Sequence, residues 1–318
     1  MGDERILRIG GLVIAGALAF RLILGVATPT LEKLQKLQPE QVAALLLTGR
    51  ILKLSAEESP LQLSVTDTPQ VVEPAVFSPE DQQVISMNNS SGKTADAQTA
   101  LLQPLNWSLQ DQQPTVLILH SHGSESYTKT EDYTESANYR TLNTDYNMIS
   151  IGQYLAEELE KAGIRVIHDQ TMYDSPSYNE AYTRSRAAAQ QHLTENPSIC
   201  LVLDLHRDAG EDSDGNQIRR AVSTPEGDAA QLMMVLGTNH EGWLDNLSLA
   251  VKLQVQLEKQ CSNICRPISV RAQRYNQDLC SGALLVEVGA AGNTRQEALL
   301  GAKYLAQAII SLAAGAAS

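Results

Sequence analysis

Residues 115–127 read TVLILHSHGSESY. Thr115 to Leu119 is a short, unbroken apolar run of the kind that forms a strand buried on both faces. It passes without a linker into two histidines, a glycine and a glutamate. Four further apolar runs follow downstream: IRVIHD (164–169), ICLVLDLH (199–206), AQLMMVLGT (230–238) and ALLVEVGA (283–290). Amphipathic helices alternate with them. SIGQYLAEELEKAG (150–163) ends at Gly163, and EAYTRSRAAAQQHLTEN (180–196) stops at Pro197. In WLDNLSLAVKLQVQLEKQ (243–260), Leu244, Leu247, Ala250 and Val251 share one stripe, and RQEALLGAKYLAQAIISLA (295–313) is the last helix. This alternation predicts an α/β fold: a mainly parallel sheet flanked by helices, with right-handed crossovers. Such sheets hold their sites at the carboxyl ends of the strands.

Polar residues at those ends are therefore the candidates for chemistry. His120, His122 and Glu125 follow the first strand. Asp204, His206, Arg207 and Asp208 follow or end the third, and Glu287 lies in the fifth. Two histidines and a glutamate are a zinc-ligand set that leaves a fourth position for water. A second glutamate outside that set can take the water's proton. A single histidine is more often a hydrogen-bonded core residue. Four such residues at strand ends, His122, Glu125, His206 and Glu287, make that reading weaker. His122 is preferred to His120 as the ligand because it stands where the strand has ended, and His120 is then an outer group. Asp145, which opens the first helix, competes with Glu125 as the carboxylate ligand. Arg207 is read as pairing with a substrate carboxylate or orienting His206. His168 is read as a strand-edge cap, His192 as solvent-facing and His240 as a loop residue. The polar run RYNQDL (274–279) is equally compatible with substrate contact and with an ordinary turn.

Composition narrows the partners. The chain of 318 residues carries a net charge of −13 and a pI of about 4.9. This is the wrong sign for a phosphate-binding surface and argues against nucleic acid. The four cysteines, Cys200, Cys261, Cys265 and Cys280, contain no CxxC pair, which argues against a zinc ribbon; their pairing is open among three possibilities. No G-x-S-x-G occurs, which disfavours a serine hydrolase.

The first part of the chain has a different texture. Ile9 to Ala27 is long and apolar enough to span a bilayer, interrupted only by Arg21, and Arg5 and Arg8 precede it. An uncleaved anchor is expected, with the bulk of the chain extracytoplasmic. Residues 30–54 are helical in pattern with Pro39 inside. Residues 55–100 are rich in Pro, Ser, Asp, Gln and Glu, as in a flexible tether. The expected division is a membrane anchor over 1–28, a juxtamembrane helix and tether over 29–114, and a hydrolase domain over 115–314.

The motifs HSHGSESY (120–127), SYNEAYTRSR (177–186), DLHRDA (204–209), VLGTN (235–239), YNQDL (275–279) and ALLVEVGAAGNT (283–294) occur in this order. In that order they resemble the stage II sporulation protein P family. The resemblance covers about Thr115 to Leu312, and the anchor and tether are similar as well. It implies a zinc-dependent peptidoglycan hydrolase related to the N-acetylmuramoyl-L-alanine amidases. Such an enzyme cuts the amide between N-acetylmuramic acid and L-alanine, with cleavage of peptide cross-links as a second credited activity. It also implies placement at the sporulation septum and work with stage II sporulation proteins D and M during engulfment. Carried onto this chain, the motifs supply His122, Glu125, His206 and Glu287. The division into zinc ligands and general base rests on the strand-end argument. Two rivals fit the same residues: a zinc carboxypeptidase or amidohydrolase acting on free peptides, and a non-catalytic wall-binding scaffold.

Overall fold

The computed structural model describes residues 73–316, apart from 106, 107, 131, 132, 135 and 137. The expected anchor and juxtamembrane helix lie outside the described residues.

The buried apolar runs form strands where the sequence places them: β2 (Val116–Leu119), β3 (Val166–His168), β4 (Leu201–Asp208), β7 (Leu232–Gly237) and β9 (Ala283–Ala290). Two short strands, β1 (Met87–Asn89) and β8 (Ile268–Arg271), complete a seven-stranded sheet in the order β1-β8-β7-β9-β4-β2-β3. Every pairing is parallel except one: β7 runs antiparallel to β9. The sheet is thus two parallel blocks joined back to front. β5 (Ala221–Thr224) and β6 (Gly227–Ala230) form a separate antiparallel hairpin.

Two apolar clusters occupy the two faces of the sheet. Period-two alternation sends Leu201, Leu203 and Leu205 of β4 into the larger one, with Val116, Ile118, Leu284, Val286 and Val288. Helices α1 (Ala97–Leu102), α2 (Met148–Lys161), α4 (Trp243–Gln260) and α5 (Arg295–Ala316) contribute to this cluster. On the thinner face Leu117, Leu119, Val202 and Ala283 pack with Ala189 of α3 (Ala181–Glu195) and with Leu279 and Cys280. Asp204 and His206 share the parity of Val202 and belong to the thinner face.

Local signals set the helix ends. The Asn147 side chain caps α2 by accepting from Ile149 N, and Gly163 follows the helix at φ +82°. α5 is the helix among the described residues that is long and apolar enough to cross a membrane, but most of it is buried inside the fold. Ala298, Ala302, Leu305, Ile309 and Leu312 all lie in the core, as in the central helix of a globular domain.

Several expectations change. In α4, Leu247, Ala250 and Val251 are buried, whereas Leu244 is 49% exposed. Residues 73–105, read from composition as tether, carry ordered elements on the same core. β1 pairs with β8, and Ala100 and Leu101 of α1 are buried. The Lys252 ammonium, buried on α4, donates to the carbonyls of Ala100, Leu101 and Gln103 at the end of α1. These are the carbonyls a helix terminus leaves without partners. All four cysteines are free thiols. Cys200 is only partly buried, its Sγ 3.4 Å from the Ser108 carbonyl.

Candidate metal centre

β2 ends at Leu119, and the chain turns at once. The turn sends the two histidines to different surroundings. The His120 ring lies under α2, its Nδ1 3.2 Å from the Leu205 carbonyl and its Nε2 2.9 Å from His168 Nε2. The approach is so close that a Cβ at Gly152 would stand 2.5 Å from His120 Nε2. Burial, then the neighbouring His168, depresses His120 to about 3. Burial likewise lowers His168 to about 4. Both rings are neutral at physiological pH, and His168 is a partner of His120 rather than an edge cap.

His122 instead enters the cleft beside His206. The two rings meet edge to face with centroids 5.1 Å apart. Glu125 stands between them, with Oε1 3.6 Å from His122 Nδ1 and Oε2 3.5 Å from His206 Nδ1. All three residues are buried, and one ligand atom from each lies within 4.8 Å of the others. The contacts to Glu125 are longer than ordinary hydrogen bonds. They leave room for an ion among the three side chains, since zinc takes imidazole nitrogen and carboxylate oxygen at about 2.0–2.2 Å. The donor set of two imidazoles and a carboxylate fits that ion.

The carboxylate is oriented from behind. Arg207 N donates to Glu125 Oε2 at 3.2 Å, and Arg140 Nη2 is 3.4 Å from Oε1. The Arg207 guanidinium donates to the carbonyls of Ser126 and Tyr139 at 3.0 and 2.9 Å, and its Nη1 lies 4.0 Å from Glu125 Oε1. Arg207 therefore supports Glu125 through both its backbone and its side chain. Arg140 also pairs with the buried Asp174 at 3.0 Å. Burial works against the charge of Glu125. The nearby imidazoles of His122 and His206 and the charges of His206 and Arg207 outweigh it and hold the carboxyl well below its usual range. Asp145 is exposed, lies outside this cluster, and is not the helix cap; Asn147 is.

His206 is held on its other side by Asp204, whose Oδ1 approaches Nε2 at 2.9 Å, off the N–H axis. Burial opposes the imidazolium, yet Asp204 and Glu125 together keep its titration well above the ordinary histidine range. Glu287 is paired in register with His206 across the β4–β9 ladder, so both side chains leave the same face. Its Oε2 is buried and has no hydrogen-bond partner. Burial and the charges of Glu125 and Asp208 raise it to about 8, against the opposing pull of His206 and Arg207.

Two tyrosines wall the cleft. Tyr178 stacks on His122 with centroids 4.3 Å apart, and the Arg140 guanidinium carbon lies 4.4 Å from the centroid of the Tyr178 ring. Tyr182 meets His122 edge to face and stacks on His206 at 6.2 Å. Burial, then the charges of Asp204, Glu287 and Glu125, keeps the Tyr182 phenol protonated by raising its pKa far above normal. Arg140, Asp174, Tyr178 and Tyr182 carry no spacing pattern that identifies them, although the last two fall inside one of the ordered motifs. His192 also departs from expectation: its Nε2 lies 3.0 Å from Asp169 Oδ2 instead of facing solvent. His240 stays in a loop and does not join the cluster.

The family model described as stage II sporulation protein P matches residues 43–310. Stage II sporulation protein P of Bacillus subtilis (strain 168) is 26% identical over 196 residues, which cover 57% of this chain and 47% of that protein. The chain therefore spans about half the length of the curated relative it matches. Among solved structures, the N-acetylmuramoyl-L-alanine amidase from Clostridium difficile 630 is similar at 16% identity and a TM-score of 0.40, over 63% of this chain and 97% of that one. The CwlD amidase from Clostridioides difficile, solved in complex with the GerS lipoprotein, gives 15% identity and 0.40, over 63% and 95%. The match of a family model to most of the chain, on top of six motifs in one order, settles the kinship: the chain belongs to the stage II sporulation protein P family.

Proposed function

We propose that this protein is a zinc-dependent peptidoglycan hydrolase that cuts the amide between the lactyl group of N-acetylmuramic acid and L-alanine. The observation that carries the reading is the trio His122, Glu125 and His206, buried with one ligand atom from each within 4.8 Å of the others, with the unpartnered Glu287 carboxyl facing His206 from the next strand. Zinc held there would polarise the scissile carbonyl and activate water for attack. Glu287 takes the proton from the attacking water and returns it to the leaving nitrogen of L-alanine. Arg207 and Arg140 hold the Glu125 carboxylate in place. Tyr178 and Tyr182 cover the two imidazoles and keep bulk water from their rings.

The same reading places the hydrolase module outside the cytoplasmic membrane, held by the apolar segment Ile9–Ala27, at the sporulation septum. Peptide cross-links are its second substrate, and stage II sporulation proteins D and M its partners. The hydrolase module includes residues from about 73 onward, since β1 and α1 pack on its core. The deciding experiment digests purified peptidoglycan with the full chain and identifies the products by mass. Release of stem peptides with a free L-alanine amino terminus supports the reading. Trimming of free peptides with no release from the glycan overturns it in favour of a carboxypeptidase. No product of either kind from zinc-loaded protein overturns it in favour of a scaffold.

A further inference from the structure

The second carboxylate beside His206 is reached by a chain of hydrogen bonds that the catalytic reading leaves unused. Asp204 is 6% exposed, and Ser121 and Ser185 are wholly buried. Ser121 N donates to Asp204 Oδ1 at 2.7 Å and Ser121 Oγ to Oδ2 at 2.6 Å. Ser121 Oγ and Ser185 Oγ are 2.7 Å apart. Asn276 Nδ2 donates to Ser185 Oγ at 3.3 Å and to the Tyr182 carbonyl at 2.9 Å. The chain joins four of the ordered motifs, in which no spacing argument assigns these polar residues a task.

The polarity of this chain follows from its donors and acceptors. An ionised carboxylate only accepts, and a hydroxyl has one proton to give. Ser121 Oγ gives its proton to Asp204. Ser185 Oγ has its one proton to place between Ser121 Oγ at 2.7 Å and the Tyr182 carbonyl at 3.3 Å, and it accepts from the Asn276 amide. Asp204 Oδ1 lies 2.9 Å from His206 Nε2 but off its N–H axis, so the two meet as a charge contact. With Nε2 turned to Asp204, Nδ1 is the ring nitrogen on the side of Glu125. A metal-binding imidazole whose other N–H is held by a carboxylate has its tautomer and ring orientation set by that partner.

We infer that Asp204 is a positioning residue, fixed by Ser121 and Ser185, that holds His206 with Nδ1 presented to the metal. The inference rests on the reading of His206 as a ligand. It also explains why a buried acid is kept beside a metal site it does not enter: an unpaired buried carboxylate is expensive, and this one is held by both Ser121 donors and by His206. The far end of the chain is Asn276 in the left-handed region at φ +58°, next to Tyr275 at φ +51°. Asn276 ties that turn to α3, so the turn and the metal ligand belong to one bonded unit.

The test uses the full chain and measures zinc affinity by competition with a chromogenic chelator, together with the visible absorption of the cobalt-loaded protein. Asp204→Asn keeps the shape and removes the charge. It should weaken zinc binding about 10–100-fold and shift the cobalt band, because the ligand field at Nδ1 changes. Ser121→Ala, which removes one donor and leaves the backbone bond, should shift the same band with a smaller loss of affinity. Parental affinity and an unchanged cobalt spectrum in both variants would overturn the inference. So would a fall in melting temperature with an unchanged spectrum, which marks a purely structural role. If Asp204→Asn does not fold, Ser121→Ala carries the test alone. Absence of zinc from the parent protein is a different failure, since it removes the metal centre itself.

Discussion

His206 and Glu287 occupy paired positions on adjacent parallel strands, β4 and β9, and both leave the sheet on the same face. This places a carboxyl without a hydrogen-bond partner beside a candidate ligand while remaining separate from the ligand trio. Glu287→Gln should therefore keep zinc and the fold, yet release stem peptides from peptidoglycan at least about a hundredfold more slowly, as loss of a general base commonly does. Zinc content and rate measured on the same preparation check this. Loss of zinc would make Glu287 a ligand, and a normal rate would make it structural.

The full chain should bind about one zinc, as a site of two histidines and one carboxylate requires. His122→Ala, His206→Ala and Glu125→Ala should each lose the metal, and Asp145→Ala should keep it, because Asp145 is exposed and outside the cluster. Metal analysis of the four variants decides the assignment. Zinc retained by Glu125→Ala and lost by Asp145→Ala would move the carboxylate ligand.

The buried His120–His168 pair gives stability a direction with pH. Burial lowers His168 to about 4 and His120 to about 3, below their ordinary value near 6.5. Unfolding lets both rings take up protons between those limits, so stability is full above about pH 6.5 and falls as pH drops toward about 4. His168→Gln removes one of the two titrations. Its melting temperature should decline less steeply than the parent's between pH 6.5 and 4. Equal slopes would show that another group governs acid sensitivity.

Lys252 is a clamp on the end of α1. Its ammonium donates to the carbonyls of Ala100, Leu101 and Gln103 and to Ser248 Oγ. Lys252→Met fills similar volume but leaves those carbonyls without a donor, at a cost of about 1–3 kcal/mol. Urea unfolding measures the loss. In the parent protein, limited proteolysis should spare residues 79–102, and in Lys252→Met the same stretch should become the first site of cleavage. Ready cleavage there in the parent would return the segment to a tether.

Runs of local pattern in this chain determine much of its architecture. The apolar stretches of β2, β4, β7 and β9 and the helix-ending signals at Gly163 and Pro197 depend on neighbours within a few residues, so they are legible in the sequence. The cluster of His122, Glu125 and His206 is legible for a related reason: polar side chains at the ends of buried strands have few places to go. Tertiary structure decided what depends on contacts between distant segments. β1 and β8 are too short to announce themselves and exist because they pair with each other, and with β7, at the sheet edge. The antiparallel junction of β7 and β9 depends on how the chain returns, which no local period encodes. A single turn after Leu119 sends the rings of His120 and His122 to different surroundings, which only the neighbours brought in by the fold define. The fold sets Glu125 among the two histidines, held by the backbone N–H of Arg207 and the side chain of Arg140, and leaves Asp145 exposed outside the cluster. The role of Asp204 needed Ser121 and Ser185 brought within hydrogen-bond distance, because an acid two residues from a histidine acquires a direction only when the fold supplies its other partners.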